Sequence, residues 1–360
     1  MEVKKRSMNS SNRTLRVLAC PAYKNKSSNP YNYLLCSALE RKGVTVSEFS
    51  FFNCLKLRYD IVHVHWPELY LNSASFLKAF LFSAILIASL AWSKLFGKKI
   101  VWTVHNLRPH KVKYGTLNSL FWYFYLPLVD GFISLSGANL KLIRDEYPKL
   151  SNVPSAVTLH GLYNGHYPDN LTRSEARTKL SISSERKVCL LMGQLRPYKN
   201  IELLIDVFGS ADLSGVDLLV VGRSVDSDYS EELKQLASGK SNVRIIEKYV
   251  DDADIQIYMK SVDLMVLPFR RIFNSGSALL SVSFGIPTLV PNTPNFVEYQ
   301  NILQDLIFCF DGELESKDIL QALEQTEPNM LVEAESLTWD DIAGKTYDFY
   351  KSVVVDVKSS

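Results

Sequence analysis

The chain has 360 residues, 47% hydrophobic and 22% charged, which is ordinary globular usage for two domains and excludes extensive disorder beyond the ends. Its 40 basic and 38 acidic side chains leave a net charge of +2. That balance gives no support to nucleic-acid binding through bulk charge, so any anion site has to be local. Residues 1–13 are basic and polar with no apolar run behind them, and no secretory signal is expected there. The five cysteines (Cys20, Cys36, Cys54, Cys189 and Cys309) are odd in number and form no CxxC pair. They read as reduced, buried thiols of a cytoplasmic protein.

From Leu15 onward, short runs rich in β-branched residues alternate with helical patterns, twice over. In the first half the runs cover residues 16–20, 44–49, 61–65, 100–105, 131–134 and 157–159; in the second, 187–192, 217–221, 243–247, 263–267, 287–291 and 307–310. This rhythm predicts two doubly wound α/β domains, each a parallel sheet covered by helices and together facing a cleft. The expected domains are 14–165 and 187–337. Between them, 166–186 is polar and turn-rich, with Thr172 and Glu175 at capping-box spacing, and is expected to be the hinge.

Residues 79–96 (AFLFSAILIASLAWSKLF) would extend about 27 Å as a helix, against a bilayer core of roughly 30 Å. They join the runs 61–65 and 100–105, and a membrane crossing would put two strands of one sheet on opposite sides of the bilayer. A span is therefore not expected. Two readings stay open: a deeply buried helix, or one that also touches lipid, with Lys78, Lys94, Lys98 and Lys99 at its ends. The aromatic group at 121–125 suits core packing and an interfacial surface alike.

Ligands of open α/β sheets sit at the carboxyl ends of strands, so motifs that follow strands carry the most weight. Two lie in the first half: HVHWPE, with His63, His65 and Glu68, and TVHNLRPH, with His105 and His110. In the second half GQLRPYKN places Gly193, Arg196 and Lys199 on a loop between a strand and a helix. A planar guanidinium and a compact ammonium together suit a diphosphate, while the plain alternative is a solvated turn with two surface cations. The stretch FRRIFNSGS sets Asn274, Ser275, Gly276 and Ser277 at a helix start, where free N–H groups favour an anion or where a serine simply caps. No metal is expected. Asp252-Ala-Asp254 has DxD spacing but reads as a cap of the next helix, and the six histidines form no zinc-like set with cysteine. The two cations and the helix start already supply the charge a divalent ion would bring to a leaving diphosphate.

The order of these residues, with Gly222 and Arg223 ending the strand after GQLRPYKN and Leu267-Pro268-Phe269-Arg270 preceding the Asn-Ser-Gly-Ser element, resembles the donor domain of GT-B glycosyltransferases. The hinge sequence HGLYNGHYPDN and the pair HVHWPE and TVHNLRPH are similar to bacterial exopolysaccharide enzymes of the xanthan-type β-mannosyltransferase group. The resemblance covers about residues 15–351 and includes LTWDDI at 337–342, similar to a terminal helix that crosses back onto the first domain, here 338–360. It implies transfer of mannose from GDP-mannose, with no cofactor, onto a polyprenyl-diphosphate-linked glycan. It also implies a peripheral position on the anionic cytoplasmic face of the inner membrane. Arg196 and Lys199 would hold the diphosphate, with Gly193, Gly222, Arg223 and the Asn274 to Ser277 element around the nucleotide and Tyr249 near the base.

The large retaining GT-B group carries two glutamates eight positions apart around the Ser-Gly-Ser element. Here those positions fall near Ile272 and Leu280, neither acidic, with Glu298 as the substitute expected at the ribose or sugar. Their loss favours an inverting transfer, which needs a base in the first domain to take the acceptor proton. Glu68 is the preferred base, with His65 and His105 orienting sugar or acceptor; a histidine base is the alternative. Other expectations kept open are a retaining UDP-sugar hexosyltransferase, a sugar-nucleotide epimerase and a non-catalytic carbohydrate-binding relic.

Overall fold

The structure, a computed structural model, describes residues 14–73, 75–108, 112–325, 330 and 332–355. The leader question at residues 1–13 and His110 both lie outside the described residues. Six strands form the first sheet: β1 (Arg16–Cys20), β2 (Thr45–Glu48), β3 (Ile61–Val64), β4 (Lys99–Val104), β5 (Gly131–Ser134) and β6 (Ser155–Val157), in the order β2-β1-β3-β4-β5-β6. Six more form the second: β7 (Lys187–Met192), β8 (Val216–Gly222), β9 (Val243–Glu247), β10 (Leu264–Val266), β11 (Thr288–Pro291) and β12 (Ile307–Phe310), in the order β12-β11-β10-β7-β8-β9. All pairings are parallel. The central strands are apolar along their length because helices cover both faces, and every residue of β3, β5 and β10 is buried. The order of strand addition turns back between β1 and β3 in one sheet and between β7 and β10 in the other. Each reversal opens a crevice at the carboxyl ends of its strands.

The stretch 166–186, expected as a hinge, is instead fastened to the second sheet. Its helix Arg173–Leu180 starts with the expected capping box between Thr172 and Glu175. Arg173 and Arg177 then reach the buried carboxylate of Asp263 at 2.8 and 2.9 Å, and Gln256 accepts the N–H groups of Asn170 and Leu171. A buried carboxylate needs such partners, and two arginines four apart on one helix face provide them. The chain crosses between sheets earlier, where Leu159, Leu162 and Tyr163 already belong to the second core. The Asp254 reading is also corrected: Asp254 precedes the helix Ile255–Ser261 without a side-chain cap bond, and its carboxylate faces Lys248 at 3.6 Å.

The last helix, Trp339–Val355, returns to the first domain. Ile342, Ala343, Phe349, Tyr350 and Val353 pack with Val17, Ile61 and Val101. Gly131 permits this approach, since a Cβ there would fall 2.8 Å from the Phe349 ring.

The helix Phe76–Leu95 exposes much of the side that its composition left undecided. Its buried side is largely small and polar, with Ala79, Ser83, Ser89 and Ser93 beside Leu86 and Leu90. Ser93 bonds the Ser89 carbonyl at 2.7 Å and the Tyr59 hydroxyl at 2.8 Å, while the buried hydroxyls of Ser83 and Ser89 find no partner among the described residues. Phe76, Leu77, Phe80, Leu81, Phe82, Ile85 and Leu95 face outward, Leu77 with 64% of its surface exposed. The deeply buried helix is thereby excluded. Among the described residues it is the one helix long and apolar enough to span a bilayer, yet it joins adjacent parallel strands.

Candidate active site

The loop after β3 and the loop after β4 build one wall of the cleft. Pro67 starts a 3-10 turn, Pro67–Asn72, which carries Glu68 inward. Asn106, directly after His105, donates from Nδ2 to Glu68 Oε1 at 2.8 Å. Glu68 is 6% exposed, and burial pushes its carboxyl up to about 7 against the Asn106 bond that pulls it down. The opposite wall comes from the loop after β7. A cavity of about 510 Å³ is lined by Trp66, Glu68 and Asn106 on one side and by Gln194, Arg196 and Tyr198 on the other. A cavity of about 560 Å³ elsewhere on the first domain holds Arg108 and Glu146, which pair with each other at 2.6 Å. It offers no unengaged acid or base beside the cleft chemistry.

The histidines stand behind Glu68. His63 is tied on both ring nitrogens, to Thr103 at 2.7 Å and to the Tyr350 hydroxyl at 2.6 Å, so it locks the returning helix onto the sheet. His65 Nδ1 and His105 Nε2 share a bond at 3.1 Å. Burial holds both rings well below the usual histidine range, and neighbouring histidines add to the effect. His65 is fully buried, and its Nε2 finds no partner among the described residues. The Trp66 indole stacks on His105 with ring centres 4.0 Å apart. Of the three residues expected at the acid–base step, Glu68 lines the cavity, while His65 and His105 form the packing beneath it. Tyr31, not singled out by motif, sits at the middle of this group, with ring centres 4.8 Å from His105 and 4.9 Å from His160.

The donor-side loop converges on one point. Gly193 has φ +122°, and a Cβ on it would lie 2.7 Å from Lys199 Nζ and 3.5 Å from Ser277 Oγ. Only glycine leaves that point open between an ammonium and the first turn of the helix Gly276–Ser283. Lys199 is 4% exposed, donates to the Met192 carbonyl at 3.4 Å, and is pushed down to about 8 by burial and by Arg196. A buried cation with no carboxylate partner among the described residues, beside a helix N-terminus, is arranged to receive an anion. Gly222 braces the loop: a Cβ there would fall 1.8 Å from the Gly193 carbonyl oxygen. Arg196 accompanies Gln194, whose Oε1 accepts from its Nε at 2.9 Å.

Three of the other expected donor-site residues, Asn274, Tyr249 and Glu298, contact the first domain. Asn274 donates to the His105 carbonyl at 3.0 Å. Tyr249 is 57% exposed, and its hydroxyl donates to the Ser27 carbonyl at 3.0 Å. The Arg223 side chain is exposed, while its carbonyl accepts from Leu195 N–H at 3.1 Å. Glu298, expected at the ribose or sugar, spends its carboxylate on the Ser136 hydroxyl at 2.5 Å and the N–H groups of Gly137 and Ala138. Ser275 caps its helix through Ala278 N–H at 3.2 Å, and Gly276 packs against Tyr163, with 3.1 Å from its absent Cβ to the hydroxyl. Ile272 and Leu280, at the positions of the two missing glutamates, pack on the second core.

Residues 172–329 match the family model described as "Glycosyl transferases group 1". Over 302 residues the chain is 26% identical to a GDP-mannose:glycolipid 4-beta-D-mannosyltransferase of Xanthomonas campestris pv. campestris, covering 84% of this chain and 81% of that protein. Sucrose-phosphate synthase from Thermosynechococcus elongatus is similar in structure with a TM-score of 0.62 at 13% identity, over 96% of this chain and 98% of that one. HepE of Anabaena, solved in complex with UDP and glucose, gives 0.61 at 13% identity over 97% and 100%. At such identities the structural likeness carries the fold alone. Two facing parallel α/β domains of this kind make the GT-B architecture.

Proposed function

We propose, from the premise that this chain is a glycosyltransferase of GT-B fold, that it moves mannose from GDP-mannose onto a lipid-linked glycan with inversion at the anomeric carbon. The observation that carries this reading is the single cavity with Glu68 on one wall and Arg196 on the other. The curated relative's name supports the donor and the glycolipid acceptor.

In the proposed reaction Glu68 takes the proton of an acceptor hydroxyl as that oxygen attacks the anomeric carbon. The bond from that carbon to the β-phosphate oxygen breaks, and the electron pair leaves with GDP. Arg196, Lys199 and the N–H groups at the start of Gly276–Ser283 meet the charge that develops on the diphosphate. Asn106 holds the Glu68 carboxyl in place, and the buried histidines keep the wall behind it rigid. Apolar side chains at 272 and 280 weigh against the retaining reading.

The same reading extends to location, on an anionic membrane at its cytoplasmic side. The outward side chains of Phe76–Leu95 adjoin exposed Phe51, Phe52 and Leu55 of one neighbouring helix and Leu120, Tyr123 and Phe124 of another. Exposed apolar side chains gathered on three neighbouring helices suit the interface of a bilayer. A panel of GDP- and UDP-sugars offered with a lipid-linked acceptor tests the function. Transfer from GDP-mannose alone supports it, and transfer from a UDP-sugar in its place, or consumption of nucleotide sugar without acceptor, removes it.

A further inference from the structure

A second cavity, of about 380 Å³, lies in the first domain at the crevice between β1 and β3. Of its walls Trp66 alone belongs to a motif, HVHWPE, and the cavity occupies the reversal point where open α/β sheets bind ligands. Its walls are Pro21 after β1, Phe49 after β2, Trp66, Leu69 and Tyr70 after β3, and Phe82 from the helix Phe76–Leu95. Two of these, Trp66 and Leu69, also line the cavity that holds Glu68. At the other end Phe82 is 48% exposed on the outward apolar side of its helix. The crevice thus adjoins the apolar face at one end and the reaction cavity at the other.

Its chemistry is mixed. Aromatic walls are joined by Lys24, Glu48 and Ser73. Glu48 spends its carboxylate on the backbone N–H groups of Ala22, Tyr23 and Lys24, the shortest at 2.8 Å, which stiffens one wall. Lys113, which lines the reaction cavity, donates to the Ser73 carbonyl at 3.2 Å and so closes the rim between the two spaces. A purely aliphatic occupant would strip water from these polar groups without replacing it, and a bare phosphate would face the aromatic walls. A sugar ring, with apolar C–H faces and hydroxyls at its edge, meets both kinds of wall.

We infer that this crevice binds a sugar of the acceptor glycan lying between its lipid and its reacting hydroxyl. The acceptor then runs from the apolar face, over Phe82, through the crevice and past Trp66 and Leu69 to Glu68. This inference rests on the transferase reading above and names the acceptor's path within it.

Steady-state kinetics with a lipid-linked acceptor in detergent micelles, on wild type and on Phe49→Ala, test it. Phe49 lies off the outward helix and outside the reaction cavity. The expected result is a rise of about tenfold in KM for the acceptor with little change in kcat. GDP affinity by calorimetry and recovery on vesicles should stay as in the wild type, and Phe49→Leu should restore most of the loss. If Phe49→Ala folds poorly, Phe82→Ala, at a half-exposed position, repeats the acceptor KM measurement in micelles, without the vesicle control because Phe82 belongs to the outward face. An unchanged acceptor KM in the folded variants of an enzyme that transfers sugar overturns the inference alone. A wild-type chain that transfers no sugar removes the functional reading, and the inference with it.

Discussion

Asn106 donates to Glu68 Oε1 at 2.8 Å, and in doing so it holds in the cleft a carboxyl that burial keeps close to neutrality at about 7. A carboxylate in water would be ionised well below that and would be a weak base. Raised to about 7, it accepts a proton with more drive while a useful fraction stays ionised at neutral pH.

The pH dependence follows. With Glu68 as the proposed base it must be ionised, so kcat/KM should rise with pH through a midpoint near 7 rather than near 4.5, the ordinary value for a glutamate. Asn106→Leu removes the donor that favours the charged form and should move that midpoint higher. Between pH 4.5 and 7 the folded state holds a proton that the unfolded state has released, so the contribution of Glu68 to stability falls as pH rises across that window. Glu68→Gln should therefore be inactive yet more stable than the wild type at pH 8, by a few kcal/mol at most. Thermal unfolding at pH 5 and pH 8 measures this. Equal stability differences at both values would place Glu68 in a more watery site than the structure gives it.

Lys199 has the opposite sign. Its folded value of about 8 lies below the ordinary 10.5, so the unliganded fold bears a cost below pH 8 that is relieved as pH rises toward 10.5. A bound diphosphate favours the charged ammonium, and GDP affinity should weaken as pH rises through 8. One charge-assisted bond is worth about 1.5–3 kcal/mol, so Lys199→Ala should lose on the order of ten- to a hundredfold in turnover. Without nucleotide the variant should melt no lower than the wild type. Full activity at limiting donor would return the loop to a structural turn.

The apolar face predicts a mixed response of membrane recovery to salt. Lys94 and Lys99 both pair with Asp130, at 3.2 and 3.6 Å, so the basic rim is partly neutralised and high salt should release only part of the protein. Phe80→Asp with Leu81→Asp, both about half exposed, should reduce binding to anionic vesicles at least about tenfold without lowering the melting temperature. A double variant that melts well below the wild type would show that these side chains belong to a core.

The parallel sheets were legible because strands buried on both faces are continuous apolar runs, and every one of the twelve reappears within a few residues. The loop carrying Gly193 and Lys199 was legible as a local unit for a related reason: a glycine at φ +122° and the adjacent cations lie close in sequence. The contacts of Glu298 were not legible, because its partners, Ser136 to Ala138, lie more than 150 positions away and no local pattern announces them. The segment 166–186 looked like a hinge by composition, but its arginines belong to Asp263 on the strand side of the fold. The helix Phe76–Leu95 could not be oriented from hydropathy, because it buries serines and exposes phenylalanines. The crevice at Phe49 and Tyr70 left no mark in the sequence, since it exists only where three loops meet.

The most direct test of the account is the configuration of the bond it makes. Wild-type enzyme and Glu68→Gln should be incubated with GDP-α-mannose and a lipid-linked acceptor, and the anomeric carbon–proton coupling of the labelled product read by NMR. The account predicts a β-mannosyl product from the wild type and none from Glu68→Gln. An α-mannosyl product, or a Glu68→Gln enzyme that still transfers at the wild-type rate, would contradict it.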